Sequence, residues 1–191
     1  MEPNGNALKE AVMINLMSNN MKPVKNVIIA LLLVVFNTYC AQVAIEKETV
    51  DGNSTVLDFN NTPTNTKGII LPATQGLPTG SPANGTFVFD RSDDKVKVYE
   101  NNAWKALSDT GNGSAVVTNS ADETGNGVVI GTQAGSADGV LVLESPDKAM
   151  ILPKISSPHL NVKNPYPGMI CYDTASKTFA VFDGTVWNYW K

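Results

Sequence analysis

The chain has 191 residues, 14 Lys and Arg against 18 Asp and Glu, a formal net charge of -4 at pH 7, and 2 cysteines. That length allows one domain or two small ones, and without a cluster of basic residues to displace counterions a nucleic-acid phosphate backbone is excluded as the main partner. Charged residues make up only 17% of the chain, and Gly, Asn, Thr, Ser and Pro take their place, which is the composition of short strands joined by many turns.

From Met21 the chain reads Lys22-Pro23-Val24-Lys25, then an apolar run from Val27 to Phe36, then Asn37-Thr38-Tyr39-Cys40-Ala41-Gln42. Two lysines, an apolar run too short to span a bilayer comfortably and a small or polar junction form the pattern of a secretory signal peptide. The reading is therefore an N-terminal signal-peptide helix with an upstream extension over residues 1–41, cleaved after Cys40 or Ala41, with export to the exterior or the cell surface. Membrane contact is expected only through this segment. A lipid-modified Cys40 would want small residues before it, and Asn37, Thr38 and Tyr39 do not supply them. The first twenty residues have no evident role, and translation from Met21 or Met17 would omit most of them.

The remainder repeats itself, and a repeat decides the whole fold once it is found. Lys67-Gly68-Ile69-Ile70-Leu71-Pro72 returns 81 residues on as Lys148-Ala149-Met150-Ile151-Leu152-Pro153 (72 to 153). Gly85-Thr86-Phe87-Val88-Phe89-Asp90 returns 83 residues on as Gly168-Met169-Ile170-Cys171-Tyr172-Asp173 (90 to 173), and Tyr99 and Trp104 return as Phe182 and Trp187. Upstream, Val43-Ala44-Ile45 corresponds to Val128-Val129-Ile130, and Val56 to Phe59 corresponds loosely to Val140 to Leu143.

Each copy opens on a short strand that ends at a Leu-Pro kink, because proline cannot donate to a ladder. Three strands follow. Phe87 and Phe89 alternate with Thr86 and Val88, Val96 and Val98 alternate with Lys95 and Lys97, and Arg91 to Asp94 forms the turn, so this is a half-buried hairpin. Asn101-Asn102 tolerates positive φ and turns the chain into a third strand, Ala103 to Leu107. In the second copy Asp183-Gly184 is the hairpin signal between Phe179–Phe182 and Thr185–Trp190. The fold class is mainly β: two tandem repeats, each a short strand plus a three-stranded β-meander, over residues 42–107 and 128–191. Residues 108–127, rich in Gly, Asn and Ser, read as a linker. A three-stranded meander with one apolar face is marginal alone, so something must cover it: the other copy, the upstream strands, or a second or third chain.

Chemistry-bearing constellations are sparse. His159 has no nucleophile or paired acid near it in sequence, Asp90 to Asp94 lacks the spacing, central Gly and terminal Glu of a calcium loop, and the glycines from 125 to 131 precede no helical pattern. No catalytic, cofactor-binding or metal residue is assigned, and no enzyme activity is expected. Cys171 sits in a strand pattern as a small apolar residue, and with Cys40 at the cleavage point the fold must stand without a disulfide. The candidate contact residues are aromatic: Trp187, Tyr189 and Trp190, with Trp104 as the first-copy counterpart of Trp187. Alternation puts Trp187 and Tyr189 on one face and Trp190 on the other, so packing within the sheet or across subunits competes with sugar stacking as their role.

On these motifs the chain resembles small secreted proteins of Bacteroidota-type bacteria whose repeats are similar to phage tail-fibre and tail-collar segments. The resemblance rests on the opening Ala41-Gln42-Val43-Ala44-Ile45, on Lys67-Gly68-Ile69-Ile70-Leu71-Pro72, on Gly168-Met169-Ile170-Cys171-Tyr172-Asp173-Thr174, and on Val181-Phe182-Asp183-Gly184-Thr185-Val186-Trp187. The first copy departs from the pattern, with Arg91 in place of the Thr and Asn101-Asn102-Ala103 in place of the Gly-Thr turn. It implies a non-enzymatic structural or adhesive surface protein whose β-repeats bind a partner protein, a glycan or further copies of the chain, with a trimer favoured. Asp173-Thr174-Ala175 resembles the short acceptor for O-glycosylation in that group, which would place the sugar on Thr174. A monomeric carbohydrate-binding module using the C-terminal aromatics is the alternative, and a hydrolase acting on surface polymers is a distant third, because no carboxylate pair stands out.

Overall fold

The computed structural model describes residue 6 and residues 8–17, 42–80, 82–117, 127–131 and 139–191. It divides into two compact units, Met1–Cys40 and Ala41–Lys191. In the first, residues 8–17 are helical; Leu8, Lys9, Glu10, Ala11, Leu16 and Met17 are good helix formers. This helix lies in the upstream extension, to which no sequence motif assigns a role. The expected signal segment from Met21 to Cys40 lies outside the described residues. No helix among the described residues is long and apolar enough to cross a membrane.

Among the described residues the regular elements of the second unit are strands apart from one helical turn, Pro158–Asn161. The first repeat runs β1 (Val43–Ile45), β2 (Thr55–Phe59), β3 (Ile69–Ile70), β4 (Ala73–Thr74), β5 (Phe87–Asp90), β6 (Lys95–Glu100) and β7 (Ala103–Ala106). The second runs β8 (Val128–Gly131), β9 (Leu141–Glu144), β10 (Ala149–Met150), β11 (Lys154–Ile155), β12 (Met169–Asp173), β13 (Thr178–Phe182) and β14 (Trp187–Trp190). Each repeat is thus richer than a short strand plus a meander. It opens on a parallel pair, β1 with β2 and β8 with β9, in which Val43 faces Leu57 and Val128 faces Leu141. After the Leu-Pro kink, a second short strand lies parallel to the first meander strand, β4 on β5 and β11 on β12. The prolines sit where a missing N–H costs nothing, and their carbonyls are used: Pro72 accepts from the Phe89 N–H and Pro153 from the Tyr172 N–H, both at 2.9 Å.

The meanders follow the expected register. Phe87 faces Val98 and Phe89 faces Val96, and Asn101 and Asn102 both take positive φ (51 and 61) in a two-residue turn. The second return differs from the expected tight Asp183-Gly184 turn. Phe182 pairs with Trp187, so residues 183–186 form a four-residue loop and β14 begins two residues later than the sequence suggests. The reason is the Asp183 carboxylate, whose Oδ1 accepts the N–H groups of Thr185 and Val186, both at 2.8 Å, and holds them out of the ladder. Gly184, at φ 97, has no room for a Cβ, because the Asn112 backbone lies against it.

The two meanders cover each other. Phe89 and Val96 from the first meet Ile170 and Val181 from the second, joined by Leu71 and Val116, with Phe87 edge-on to Phe179 at 6.2 Å. The opposite face of the second meander carries Met169, Cys171, Ala180 and Phe182 and is closed by Ile155, Val162 and Trp187. The strict alternation of 169, 170 and 171 between two cores follows from the period of two along a strand. Val116 belongs to the stretch read as a linker, and residues before it are also fixed: the Gly111 N–H donates to the Asp94 carbonyl and the Asn112 N–H to the Asp183 carbonyl, both at 2.9 Å. Residues 118–126 of that stretch lie outside the described residues.

The repeats are also interlocked by strand exchange. β10 of the second repeat adds parallel to β2 of the first, making the order β1-β2-β10. In return, β3 of the first repeat adds antiparallel to β12 of the second.

Cys171 is fully buried in β12, and burial, with the Asp173 charge beside it, pushes its thiol up to about 12. At neutral pH it is a thiol and a poor nucleophile. Iodoacetamide at pH 8 is expected to leave the peptide containing Cys171 unlabelled in the native protein and to modify it in full once denaturant is added, read by peptide mass mapping.

Candidate interaction surface

Among the described residues four aspartates are almost wholly buried: Asp58, Asp90, Asp173 and Asp183. Each ties a turn to its sheet. Asp173 Oδ1 accepts the Ser157 and Ala175 N–H groups, both at 2.9 Å, and its Oδ2 accepts the Ser176 hydroxyl at 2.6 Å. Its first-repeat counterpart Asp90 accepts the Ser92 N–H and hydroxyl and pairs with Lys97 at 2.7 Å. Asp58 accepts the Asp51 and Phe59 N–H groups and pairs with Lys47 at 2.6 Å. Burial acts to raise the pKa of Asp58, Asp90 and Asp173, but the hydrogen bonds outweigh it and hold all three carboxyls below their ordinary value. Lys47 and Lys97 are disfavoured as cations by burial, yet their aspartate partners raise them above the ordinary lysine value. These groups are structural. Their turn positions are visible in the sequence but their burial is not, although the recurrence of Asp90 as Asp173 at the end of the same strand is a signal of it.

The aromatic candidates divide by face as alternation requires. Trp187 lies against Phe182, with ring centroids 5.4 Å apart, and closes the second core. Trp104 meets Tyr99 edge-on at 5.3 Å in the first repeat. Tyr189 is exposed but bonded through its hydroxyl to His159 Nδ1 at 2.9 Å, with the two rings perpendicular. Trp190, on the other face, is exposed, and its indole N–H donates to the Leu107 carbonyl at 2.6 Å. The structure therefore brings Trp187 and Tyr189 to one face of the outer strand β14 and places Trp104 in the other repeat. Thr174 is exposed at the tip of the β12–β13 turn, and its N–H donates to the Ile155 carbonyl at 3.0 Å.

A surface that the sequence did not single out is the parallel pair β8–β9. Its register matches that of β1–β2, with Val142 where β2 has Asp58, yet Val56 and Leu57 are 2% and 1% exposed while Val140 and Leu141 are 50% and 47% exposed, with Val128 at 56%. The difference is the third strand: β2 has β10 on its outer edge, and β9 has no partner strand there among the described residues. A shallow apolar hollow also opens beside Met150, Ile151, Leu152, Lys154 and Tyr172. Among the described residues no three His, Cys, Asp or Glu side chains are placed to hold a metal ion together.

Residues 129–191 match the model of the phage tail like trimerisation region. The match begins inside β8 and takes in the rest of the second repeat, about a third of the chain, and it makes that repeat phage tail-like. Neither the curated proteins nor the solved structures contain a match to the chain.

Proposed function

We propose that this chain is a structural, non-catalytic component of an extracellular or cell-surface assembly, exported through the signal pattern at Met21 to Cys40, and that it acts as a homotrimer joined by its β-repeats. The observation that carries the reading is the match of residues 129–191 to a trimerisation region, falling on the repeat whose Val128, Val140 and Leu141 stand in solvent. Valine and leucine at that density on one small sheet are costly in water and mark an interaction site. The well-filled core between the meanders needs no partner, so association falls to the outer surfaces.

Light scattering on the purified protein is expected to give three times the mass of its constituent chain, and a monomer at tens of micromolar would overturn the reading. N-terminal sequencing of the exported form is expected to begin at Ala41 or Gln42.

Adhesion to a glycan is a second role for the same protein, favoured by the exposed rings of Tyr189 and Trp190 on the outer strand β14. If sugars stack there, Trp190→Ala abolishes binding on a glycan array without changing the mass in solution; retained binding assigns Trp190 to packing against Leu107.

A further inference from the structure

We propose that a second copy of this chain completes the β8–β9 sheet: its β3 strand adds in parallel to the outer edge of β9, presenting the Ile70 edge to Leu141. The proposal rests on the self-association argued above and names the surface through which it occurs.

The chain contains its own template for this contact. β3 and β10 lie in the copied segments Lys67–Pro72 and Lys148–Pro153, one residue out of step: Ile69–Ile70 in the first, Ala149–Met150 in the second, the counterparts of Gly68 and Ile69. β10 docks on β2 through residues 149 and 151: the Ala149 N–H donates to the Ser54 carbonyl at 2.8 Å and the Ile151 N–H to the Leu57 carbonyl at 2.9 Å. β3 docks on β12 through the other edge, where the Leu71 N–H donates to the Gly168 carbonyl at 3.0 Å. Backbone groups of successive residues point to opposite edges of a strand, so the edge that β10 uses, at 149 and 151, is the one that β3 leaves open, at 68 and 70.

The receiving edge is equally well defined. The Val128 N–H donates to the Val140 carbonyl at 2.9 Å, so residues 140 and 142 of β9 face β8, and Leu141 and Leu143 face outward. Leu141 is the counterpart of Leu57, whose carbonyl is the one taken by Ile151 within the chain. By the same register the Ile70 N–H of a second copy reaches the Leu141 carbonyl. Ile70, 45% exposed, and the solvated β9 face are then covered together. The contact between repeats inside one chain simply continues into the next chain.

Such a contact is heterologous, since each chain offers β3 at one place and β9 at another, and three chains close it into a ring if the rotation per contact allows. It also adds a strand to an open edge, which bonds through main-chain groups and takes its specificity from the side-chain register.

Proline blocks each edge without touching the internal ladders. Leu141→Pro removes an outward N–H from β9, and Ile70→Pro removes an outward N–H from β3. Each variant alone is expected to lose the trimer in light scattering. Mixed in equal amounts, they are expected to form a dimer, because the first retains an intact β3 and the second an intact β9. Two prolines that leave the wild-type mass unchanged overturn the proposal while leaving self-association standing, whereas a monomeric wild type overturns both. Should either variant fail to fold, shown by labelling of Cys171, amide exchange on the wild type decides: the Ile70 and Leu141 amides are expected to be protected at high concentration and to exchange on dilution. Protection that ignores concentration sinks the proposal.

Discussion

Phe89→Ala is expected to destabilise the protein by about 3–5 kcal/mol, a large share of the roughly 5–15 kcal/mol that holds a typical domain together. Phe89 is fully buried and stands at the junction of the two meanders, in one cluster with Val96, Ile170 and Val181. Removing the ring leaves a void bounded by two sheets that cannot close on it, because β3 and β10 cross between the repeats and fix their spacing. Backbone from the 108–117 stretch adds a further limit: Gly113 packs so close that a Cβ there would lie 3.1 Å from the Phe89 ring. Urea unfolding followed by tryptophan emission reads the loss as a lower midpoint with an unchanged slope. The shared core makes a second demand. Trp104 reports on the first repeat and Trp187 on the second, so versions that keep only one of these two tryptophans are expected to give coincident transitions, in the wild type and in Phe89→Ala alike. Two separated transitions would show that the repeats are independent domains and that Phe89 serves only its own.

The β character and the meanders were legible because alternation does its work locally. Phe87 and Phe89 point one way and Val88 the other whatever lies beyond, and Asn101-Asn102 turns the chain because both residues accept positive φ. Asp183-Gly184 misled for an equally local reason: its carboxylate found the N–H groups of Thr185 and Val186 and opened the loop by two residues. Strand exchange was beyond sequence reading. Lys67–Pro72 and Lys148–Pro153 are near-identical, yet one joins β12 and the other β2, because pairing uses main-chain groups that every residue carries. For the same reason the pair β8–β9 reads like β1–β2, although β2 is buried and Val140 and Leu141 are exposed. The aromatic candidates were legible as residues but not as contacts, since the bonds of Trp190 to Leu107 and of Tyr189 to His159 join segments far apart in the chain.

Acid is expected to unfold the protein below about pH 4, and Asp173 is expected to account for a large part of that loss. Asp58, Asp90 and Asp173 are each pushed up by burial and brought down further by their donors, so all three have lower pKa values folded than unfolded. A carboxyl of that kind contributes its stability in full above its unfolded pKa of about 4 and loses it as the pH falls toward the folded value, because the unfolded chain takes up the proton first. The expected profile is therefore flat from pH 7 to about 5 and descending below it. Asp173→Ala removes the acceptor of the Ser157 and Ala175 N–H groups and of the Ser176 hydroxyl; Ser157 is half-buried, whereas Ala175 and Ser176 are exposed and turn to water instead, so a total of about 1–3 kcal/mol at pH 7 is expected. Asp173→Asn keeps one carbonyl oxygen for the two N–H groups and gives up the charge, so it is expected to lose about half as much. The comparison that decides is the slope: both variants should show a shallower fall between pH 5 and 3 than the wild type, measured as urea midpoints across the range. Equal slopes would move the acid sensitivity to the ion pairs of Asp58 with Lys47 and Asp90 with Lys97, and leave Asp173 as a turn residue whose charge is incidental.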